Sequence, residues 1–437
     1  MRYYLLTLGC PKNLVDSEGM EILLQQAGHQ PCHHPEEAEV LIVNTCGFIE
    51  PAKEESLSAL KDLSSAKRSD QILVAAGCLA ERYDGELSAQ VPTLDAVLST
   101  RRWREIAIVV DRLRGETPAD IPEPGRLKPT LSPLPRQAQG ASAYLKIADG
   151  CSAPCAFCTI PSIKGPLKSK PAAAVVQEAR QLVAQGVKEI ILIAQDTTAY
   201  GYDLSKKDAL APLIEAILEA VPDLRWLRLM YAYPGRVTPR LIEVMASHQQ
   251  VCPYLDVPLQ HAHPETLRRM RRPSNPALAR RMIEHLRQAM PDISLRTTFI
   301  VGYPGETEEE FQRLLDFMEE MAFDKVGIFP YWQEEGTPAA TMPDQLPQEV
   351  KEERRDRAMK LQQRISLAKN RQMIGQDLEV LMEGSGDGLS VARSYRDAPE
   401  VDGLVILEEE LPVGEMVQVR ITGALEYDLI GKLNTEG

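Results

Sequence analysis

Basic charge is what this chain most lacks. Lys and Arg number 49 against 63 Asp and Glu, a formal net charge of −14, which excludes a general nucleic-acid coat, whose affinity comes from neutralising phosphates. Cysteine is also sparse, with 8 residues in 437. That is too few for a disulfide-stapled scaffold and unnecessary for a chain of two to four domains, which buries large cores unaided. No apolar run reaches the roughly 18 residues of a membrane span. The opening MRYYLLTLGC imitates a lipoprotein signal, but seven residues between Arg2 and Cys10 are too short an apolar region, and a polar, acidic segment follows. No solenoid-type repeat or low-complexity tract is present. These absences predict a soluble, cytoplasmic protein with no membrane partner.

One further absence carries chemistry. The stretch DGCSAPCAFCTIP places Cys151, Cys155 and Cys158 in a C-x-x-x-C-x-x-C pattern with no fourth cysteine nearby. A structural zinc site takes four protein ligands. A four-iron cluster on three thiolates instead leaves one iron open to a substrate or cofactor. A zinc site completed by a distant histidine, or an incidental cluster, is the competing reading.

The pattern of apolar runs divides the chain into an α/β protein of three parts. In residues 1–115, RYYLLTLG, AEVLIVNT, QILVAAG and LDAVLST read as strands, each followed by a helix-like segment, which predicts a parallel sheet covered on both faces. Residues 116–140 form a Pro-rich linker. In residues 141–345, AYLKIA, EIILIAQ, WLRLMY, YLDVPL, LRTTFIVG and KVGIFPYW alternate with helices, a partial TIM-like (β/α)6 barrel with its chemistry at the C-terminal strand ends. A charged helix, 346–373, connects to residues 374–437, where five short strands between Gly, Pro and Asp read as a small β-barrel.

Three more cysteines repeat one placement. LGC ends at Cys10, NTC at Cys46 and AGC at Cys78, each after an apolar strand and before a helix, so the three thiols should meet at the carboxyl edge of one parallel sheet, where such folds bind ligands. The alternative is three buried small hydrophobes. Cys32 and Cys252 lack this placement and read as ordinary thiols. At the barrel rim, Gly302 and Gly305 in FIVGYPGET offer close approach to an adenine or ribose, and Gln195, Asp196 and Thr197 in AQDTTAYG offer polar contacts. Turn formation and helix capping, by Thr307 for the first stretch, compete equally.

The cysteine spacing, its loop after the first barrel strand and the six β/α units resemble the radical S-adenosylmethionine superfamily. With LGCPKNLVDSE, NTCGFI, AGCLAER, PLQHAHPETLRRMRRP, VGYPGET and EEGTPAA, the chain resembles over its full length the methylthiotransferases, which insert a methylthio group into an unactivated C–H bond, with a TRAM-like C-terminal barrel. GCPKN, QDTTAYG and VARSYRDAPEVDG are most similar to the RimO branch, which modifies an aspartate of small-subunit ribosomal protein uS12. The tRNA-modifying branch reads nearer to GCQMN at the start.

The resemblance implies two 4Fe-4S clusters and S-adenosylmethionine, the latter used for methylation of a cluster-bound sulfur and for radical generation. It makes Cys151, Cys155 and Cys158 the catalytic cysteines of the radical cluster, with Phe157 near the adenine and Gln195, Asp196, Gly302 and Gly305 as cofactor contacts. It makes Cys10, Cys46 and Cys78 ligands of a second, sulfur-delivering cluster. An external electron donor and uS12, free or within the small subunit, are the implied partners. One departure is KGPLKSKP, where Lys164, Lys168 and Lys170 replace a basic stretch that usually carries arginine, which puts bidentate contacts there in doubt.

Charge supports the same branch. In 374–437 acidic side chains far outnumber the basic Arg393, Arg396, Arg420 and Lys432, and Tyr395 and Tyr427 are the only aromatics. A tRNA grip needs a basic track and stacking aromatics, whereas an acidic face attracts a Lys- and Arg-rich ribosomal protein. Acidity kept for solubility is the bland reading. The basic run 267–273 reads as a solvated helix end, with contact to ribosomal RNA or a substrate carboxylate as the alternative. His261 and His263 follow the fourth barrel strand toward the site, with turn and capping structure as the alternative and neither as a catalytic base. The rivals are the same chemistry on a tRNA adenosine, and a non-catalytic iron-sulfur electron carrier or scaffold.

Overall fold

The computed structural model describes residues 1–115 and 134–434. Most of the Pro-rich linker therefore lies outside the described residues. In the N-terminal domain the strands β1 (Arg2–Thr7), β2 (Gln30–Pro31), β3 (Val40–Thr45), β4 (Ile72–Gly77) and β5 (Ala96–Ser99) form one parallel sheet in the order β2-β1-β3-β4-β5. Every residue of β3 is buried, as expected of a central strand between two helical layers. Only the short edge strand β2 was not foreseen.

The central domain has β6 (Ser142–Lys146), a small antiparallel pair β7 (Ala148–Asp149) and β8 (Lys168–Ser169), then β9 (Glu189–Ile193), β10 (Trp226–Leu229), β11 (Val251–Asp256), β12 (Ser294–Val301) and β13 (Lys325–Pro330). The main sheet is parallel and open, in the order β13-β12-β11-β10-β9-β6. All six expected strands are present. The helix Glu308–Met321 begins with a capping box from Thr307 and Glu310, and the connecting helix spans Gln348–Arg371. The C-terminal strands β14 (Asp377–Gly386), β15 (Leu389–Ser394), β16 (Val405–Leu407), β17 (Met416–Ala424) and β18 (Leu429–Leu433) close into a barrel in the order β14-β15-β16-β18-β17. Closure removes the exposed edges that five short strands would otherwise present.

One apolar cluster draws on all three domains: Val15 from the first, Tyr144, Ile193, Trp226 and Tyr254 from the central sheet, and Leu381 and Ala398 from the last. Buried ion pairs add direction to it. Glu189 meets Arg228 at 2.7 Å and Arg393 of β15 at 2.6 Å, and Lys325 meets Asp397 at 2.7 Å. Burial alone would raise the Glu189 carboxyl, but the two guanidiniums outweigh it and hold it down at about 2. No helix among the described residues is long and apolar enough to cross a membrane.

Candidate active site

The chain runs from β1 outward to β2 and then back past β1 to β3, so the sheet changes direction between β1 and β3. Ligands of open α/β sheets bind in the crevice outside such a switch point. Cys10 caps the helix Pro11–Gln26 at the end of β1, Cys46 follows β3, and Cys78 opens the short helix Cys78–Arg82 after β4. Asn13 gathers the three strand ends. Its Nδ2 donates to Leu8 O at 3.1 Å and Thr45 O at 2.9 Å, and its Oδ1 accepts from Cys78 Sγ at 3.5 Å. Gly9, at φ +91°, lies so close to Cys46 that an added Cβ would stand 2.9 Å from Sγ, which is why glycine precedes Cys10. Cys10 is exposed while Cys46 and Cys78 are buried. Burial pushes the Cys78 thiol up to about 12, with Cys10 and Cys46 adding to the rise and Lys164 opposing it.

The second set sits on the loop between β7 and β8. Cys151 Sγ accepts from Ala153 N at 3.4 Å, and Cys155 Sγ from Arg272 Nη1 at 3.6 Å. Burial pushes Cys158 up to about 12, and Cys155 and Cys151 raise it further. Thiols so placed must release protons to bind metal, and the two donated hydrogen bonds favour the thiolates that ligation requires. Among the described residues no three ligating side chains close on a single ion, and each set offers three thiols, one short of the four protein ligands of a structural zinc site. The donor chemistry, three thiols per set and no further protein ligand, fits a four-iron cluster with one open iron.

The segments that carry the two sets pack together across the domain interface. Asp16, on the helix that Cys10 caps, pairs with Lys146 at the end of β6 and with Lys164, 2.9 Å away, on the segment after Cys158. Lys164 also donates to Thr100 at 2.6 Å. Burial would lower the Lys164 ammonium, yet Asp149 and Asp16 hold it well above its ordinary value. Beside this network the Lys12 ammonium lies 3.1 Å from the centre of the Tyr231 ring, at the end of β10. A second link runs from Arg82 to Glu334, 2.7 Å apart, in the segment after β13.

The remaining expected site residues separate into two groups. Gln195, after β9, donates to Asp149 at 3.1 Å and leaves its buried Oε1 without a hydrogen-bond partner. Gln260, after β11, has the same orphaned acceptor and a strained φ of +75°. Both suit a bound group bearing hydroxyl or ammonium donors. Asp196 instead caps the turn Thr197–Ala199 and pairs with Arg236, and Thr197 donates to Met230 O at 2.6 Å. Phe157 packs against the cluster of Met270, Tyr303, Tyr331 and Ala339. At Gly302 the space of a side chain is filled by Lys351 of the connecting helix, and Gly305 lies in the turn beside Arg269.

His261 is buried against Glu306, 3.5 Å away, and His263 lies 3.4 Å from Glu310, both consistent with turn structure. The basic run differs from its expected role. Arg269 pairs with Glu310 at 2.6 Å, and Arg272 turns inward, over the Tyr233 ring and onto Cys155. Of the three lysines after the cysteine loop, Lys164 is buried in the interface, Lys170 pairs with Glu178 at 2.7 Å and Lys168 is exposed. Sequence reasoning passed over Lys12 and Tyr231. Their only signal was proximity in sequence to a cysteine or a strand end. A cavity of about 470 Å³ lies elsewhere, between the first helix, Arg136 and β6, and no cysteine lines it.

Three family models match the chain: residues 2–99 fit uncharacterized protein family UPF0004, residues 145–318 the radical SAM superfamily, and residues 374–433 the TRAM domain. A radical SAM domain implies a 4Fe-4S cluster and S-adenosylmethionine. Curated relatives named ribosomal protein uS12 methylthiotransferase RimO are similar over nearly the whole length. That of Roseiflexus sp. (strain RS-1) is 50% identical, covering 99% of this chain and 97% of the relative. That of Chloroflexus aurantiacus is 49% identical, covering 99% of each chain. A solved structure of the radical S-adenosylmethionine methyltransferase TsrM from Kitasatospora setae, with cobalamin and a [4Fe-4S] cluster bound, aligns with a TM-score of 0.57 at 16% identity. It covers 89% of this chain and 80% of that one, a likeness of fold alone. On these matches the chain is an enzyme that belongs to the RimO branch of the radical S-adenosylmethionine methylthiotransferases.

Proposed function

We propose that the protein inserts a methylthio group at the β-carbon of an aspartate in ribosomal protein uS12, using two 4Fe-4S clusters and S-adenosylmethionine. Cys151, Cys155 and Cys158 hold the cluster of the radical step, and Cys10, Cys46 and Cys78 hold the one that delivers sulfur. The observation that carries this reading is the packing of the helix that follows Cys10 against the segment that follows Cys158, through Asp16, Lys146 and Lys164. Bound S-adenosylmethionine supplies the radical that abstracts hydrogen and the methyl group of the product, and the clusters supply electrons and sulfur. The chain's own residues orient and enclose. Arg272 and the Ala153 N–H steady the thiolates of the barrel loop, while Gln195 and Gln260 present acceptors for the cofactor's donors.

A ribosomal-protein substrate accords with a cytoplasmic enzyme, and reductive cleavage of S-adenosylmethionine calls for an external electron donor. The acidic C-terminal barrel supports a basic partner less broadly than composition alone implies. Glu379, Asp397, Asp402 and Glu415 are engaged by Arg225, Lys325, Arg296 and Lys188 of the central domain, so a good part of this acidity fastens the barrel in place. Exposed Glu408, Glu409 and Glu410 remain at its surface. The test offers reduced, reconstituted enzyme and S-adenosylmethionine both ribosomal small subunits and unmodified tRNA, with mass spectrometry of each. A methylthio increment on uS12 is expected. An increment on tRNA alone would reject the uS12 reading.

A further inference from the structure

The cavity of about 470 Å³ opens where all three domains meet. Glu18 and Glu21 line it from the helix that Cys10 caps, Arg136 and Tyr144 from β6 and the segment before it, and Glu383 and Glu400 from the C-terminal barrel. Its size falls within the roughly 300–1,000 Å³ of small-ligand sites. The charges in its wall are only partly paired. Glu18 meets Arg136 at 2.6 Å, and Glu383 meets Arg393. Glu21, whose carboxyl burial pushes up, and Glu400 have no ion-pair partner among the described residues.

Two other polar groups of the wall also lack partners. The Tyr144 hydroxyl, on a residue only 6% exposed, makes no hydrogen bond, and after burial Glu400 is the first influence on its titration. Arg136 donates to Glu18 and, at 2.9 Å, to the Tyr144 carbonyl, yet its buried Nε–H has no acceptor. Unpaired buried polar atoms are costly and point to a missing partner. A cation that donates hydrogen bonds satisfies the phenol oxygen and both free carboxylates. A peptide carbonyl beside that cation satisfies the Arg136 Nε–H, which a free metal ion or amine does not.

The cavity is also within reach of the cysteines. Cys10, Leu14, Glu18 and Glu21 follow one another at spacings of three or four and so share one helix face. At 1.5 Å per residue, Glu18 and Glu21 stand about 12 and 16 Å along the axis from Cys10. Extended chain covers that distance in about four or five residues.

We propose that this cavity seats one arginine or lysine side chain of the substrate protein, from within about five residues of the modified aspartate. Glu21, Glu400 and the Tyr144 hydroxyl accept its hydrogen bonds, and Arg136 Nε–H donates to a neighbouring peptide carbonyl. The subsite rests on the uS12 reading above and adds to it a fixed point outside the cysteine sets, by which the target segment is held.

The test uses anaerobically reconstituted holoenzyme and full-length uS12, the latter also with each lysine and arginine within five residues of the modified aspartate changed in turn to Met. Initial rates of methylthiolation are read by mass spectrometry. One of these changes should raise KM by about tenfold or more, as for loss of a hydrogen bond to a charged group, and leave kcat nearly unchanged. Enzyme carrying Glu21→Gln and Glu400→Gln should show the same rise with unaltered uS12 and no further rise with that uS12 variant. Tyr144→Phe should give a smaller rise of the same kind. Iron content and circular dichroism report folding, and Glu408→Gln with Glu409→Gln, on the exposed barrel surface, controls for general charge.

Rises that multiply instead of coinciding, an equal rise in the control variant, or no basic residue of uS12 that affects KM overturns the proposal while leaving uS12 as substrate. Saturable binding of spermidine or arginine amide that depends on Glu21 and Glu400, with KM for uS12 unmoved, overturns it in favour of a free cation. Methylthiolation of tRNA with none on uS12 rejects the uS12 reading and the subsite with it.

Discussion

The barrel cysteines lie on one loop, 151–158, whereas the N-terminal three come from the ends of strands separated by dozens of residues. The first set is local: its geometry depends on the loop and on two donated hydrogen bonds, one of them from Arg272. The second is made by topology, and it exists only while β1, β3 and β4 stay in register and Asn13 ties their ends. The two sets should therefore fail in different ways. Local damage should remove one chemistry cleanly, and damage to packing should tell on the N-terminal set first.

The largest expected effect separates the two chemistries. Cys155→Ala should abolish both cofactor cleavage and methylthiolation, whereas Cys46→Ala should abolish methylthiolation and leave cleavage of S-adenosylmethionine intact, measured as 5'-deoxyadenosine. Loss of cleavage in both variants would erase the distinction. Next comes the interface that holds the sets together. Asp16→Asn leaves buried Lys146 and Lys164 without their shared carboxylate and should destabilise the protein by about 3–5 kcal/mol in denaturant unfolding.

Acid probes the other interface, between the central sheet and the C-terminal barrel. The Glu189 carboxyl titrates near 4.3 when unfolded and at about 2 in the fold. Its contribution is therefore complete at neutral pH and is lost as pH falls from about 4.3 through about 2, on the order of 3 kcal/mol in all. Glu189→Gln should flatten this part of the stability–pH curve. The smallest effects compare the supports of each set. Arg272→Met should weaken iron retention in the barrel set, and Asn13→Ala in the N-terminal set, each by about 10- to 100-fold against a chelator, as is usual for residues that orient ligands.

These differences also show what the sequence could carry. The C-x-x-x-C-x-x-C loop was legible because ligand spacing within one loop survives in linear order. The N-terminal set was legible because identical strand-end placement, in LGC, NTC and AGC, becomes convergence once a parallel sheet is assumed. The strands themselves followed from near-continuous apolar runs, as in VLIVNT of β3. Pair interactions between domains were not legible. Arg272 read as a solvated helix end because nothing in LRRMRRP says that the helix stops and turns its last arginine toward Cys155. The C-terminal acids read as a free surface because their partners Arg225, Arg296, Lys188 and Lys325 are distant in sequence. Gly302 shows the same limit, since the side chain that fills its place, Lys351, belongs to a helix that sequence alone leaves undocked.

The proposed function requires two separate sets of three cysteines that each hold a cluster. Iron and sulfide analysis of anaerobically reconstituted protein, beside a variant with Cys10, Cys46 and Cys78 all changed to Ala, tests it most directly. About eight irons per chain are expected in the unaltered protein and about four in the variant, as two four-iron clusters require. About four irons in both would contradict it.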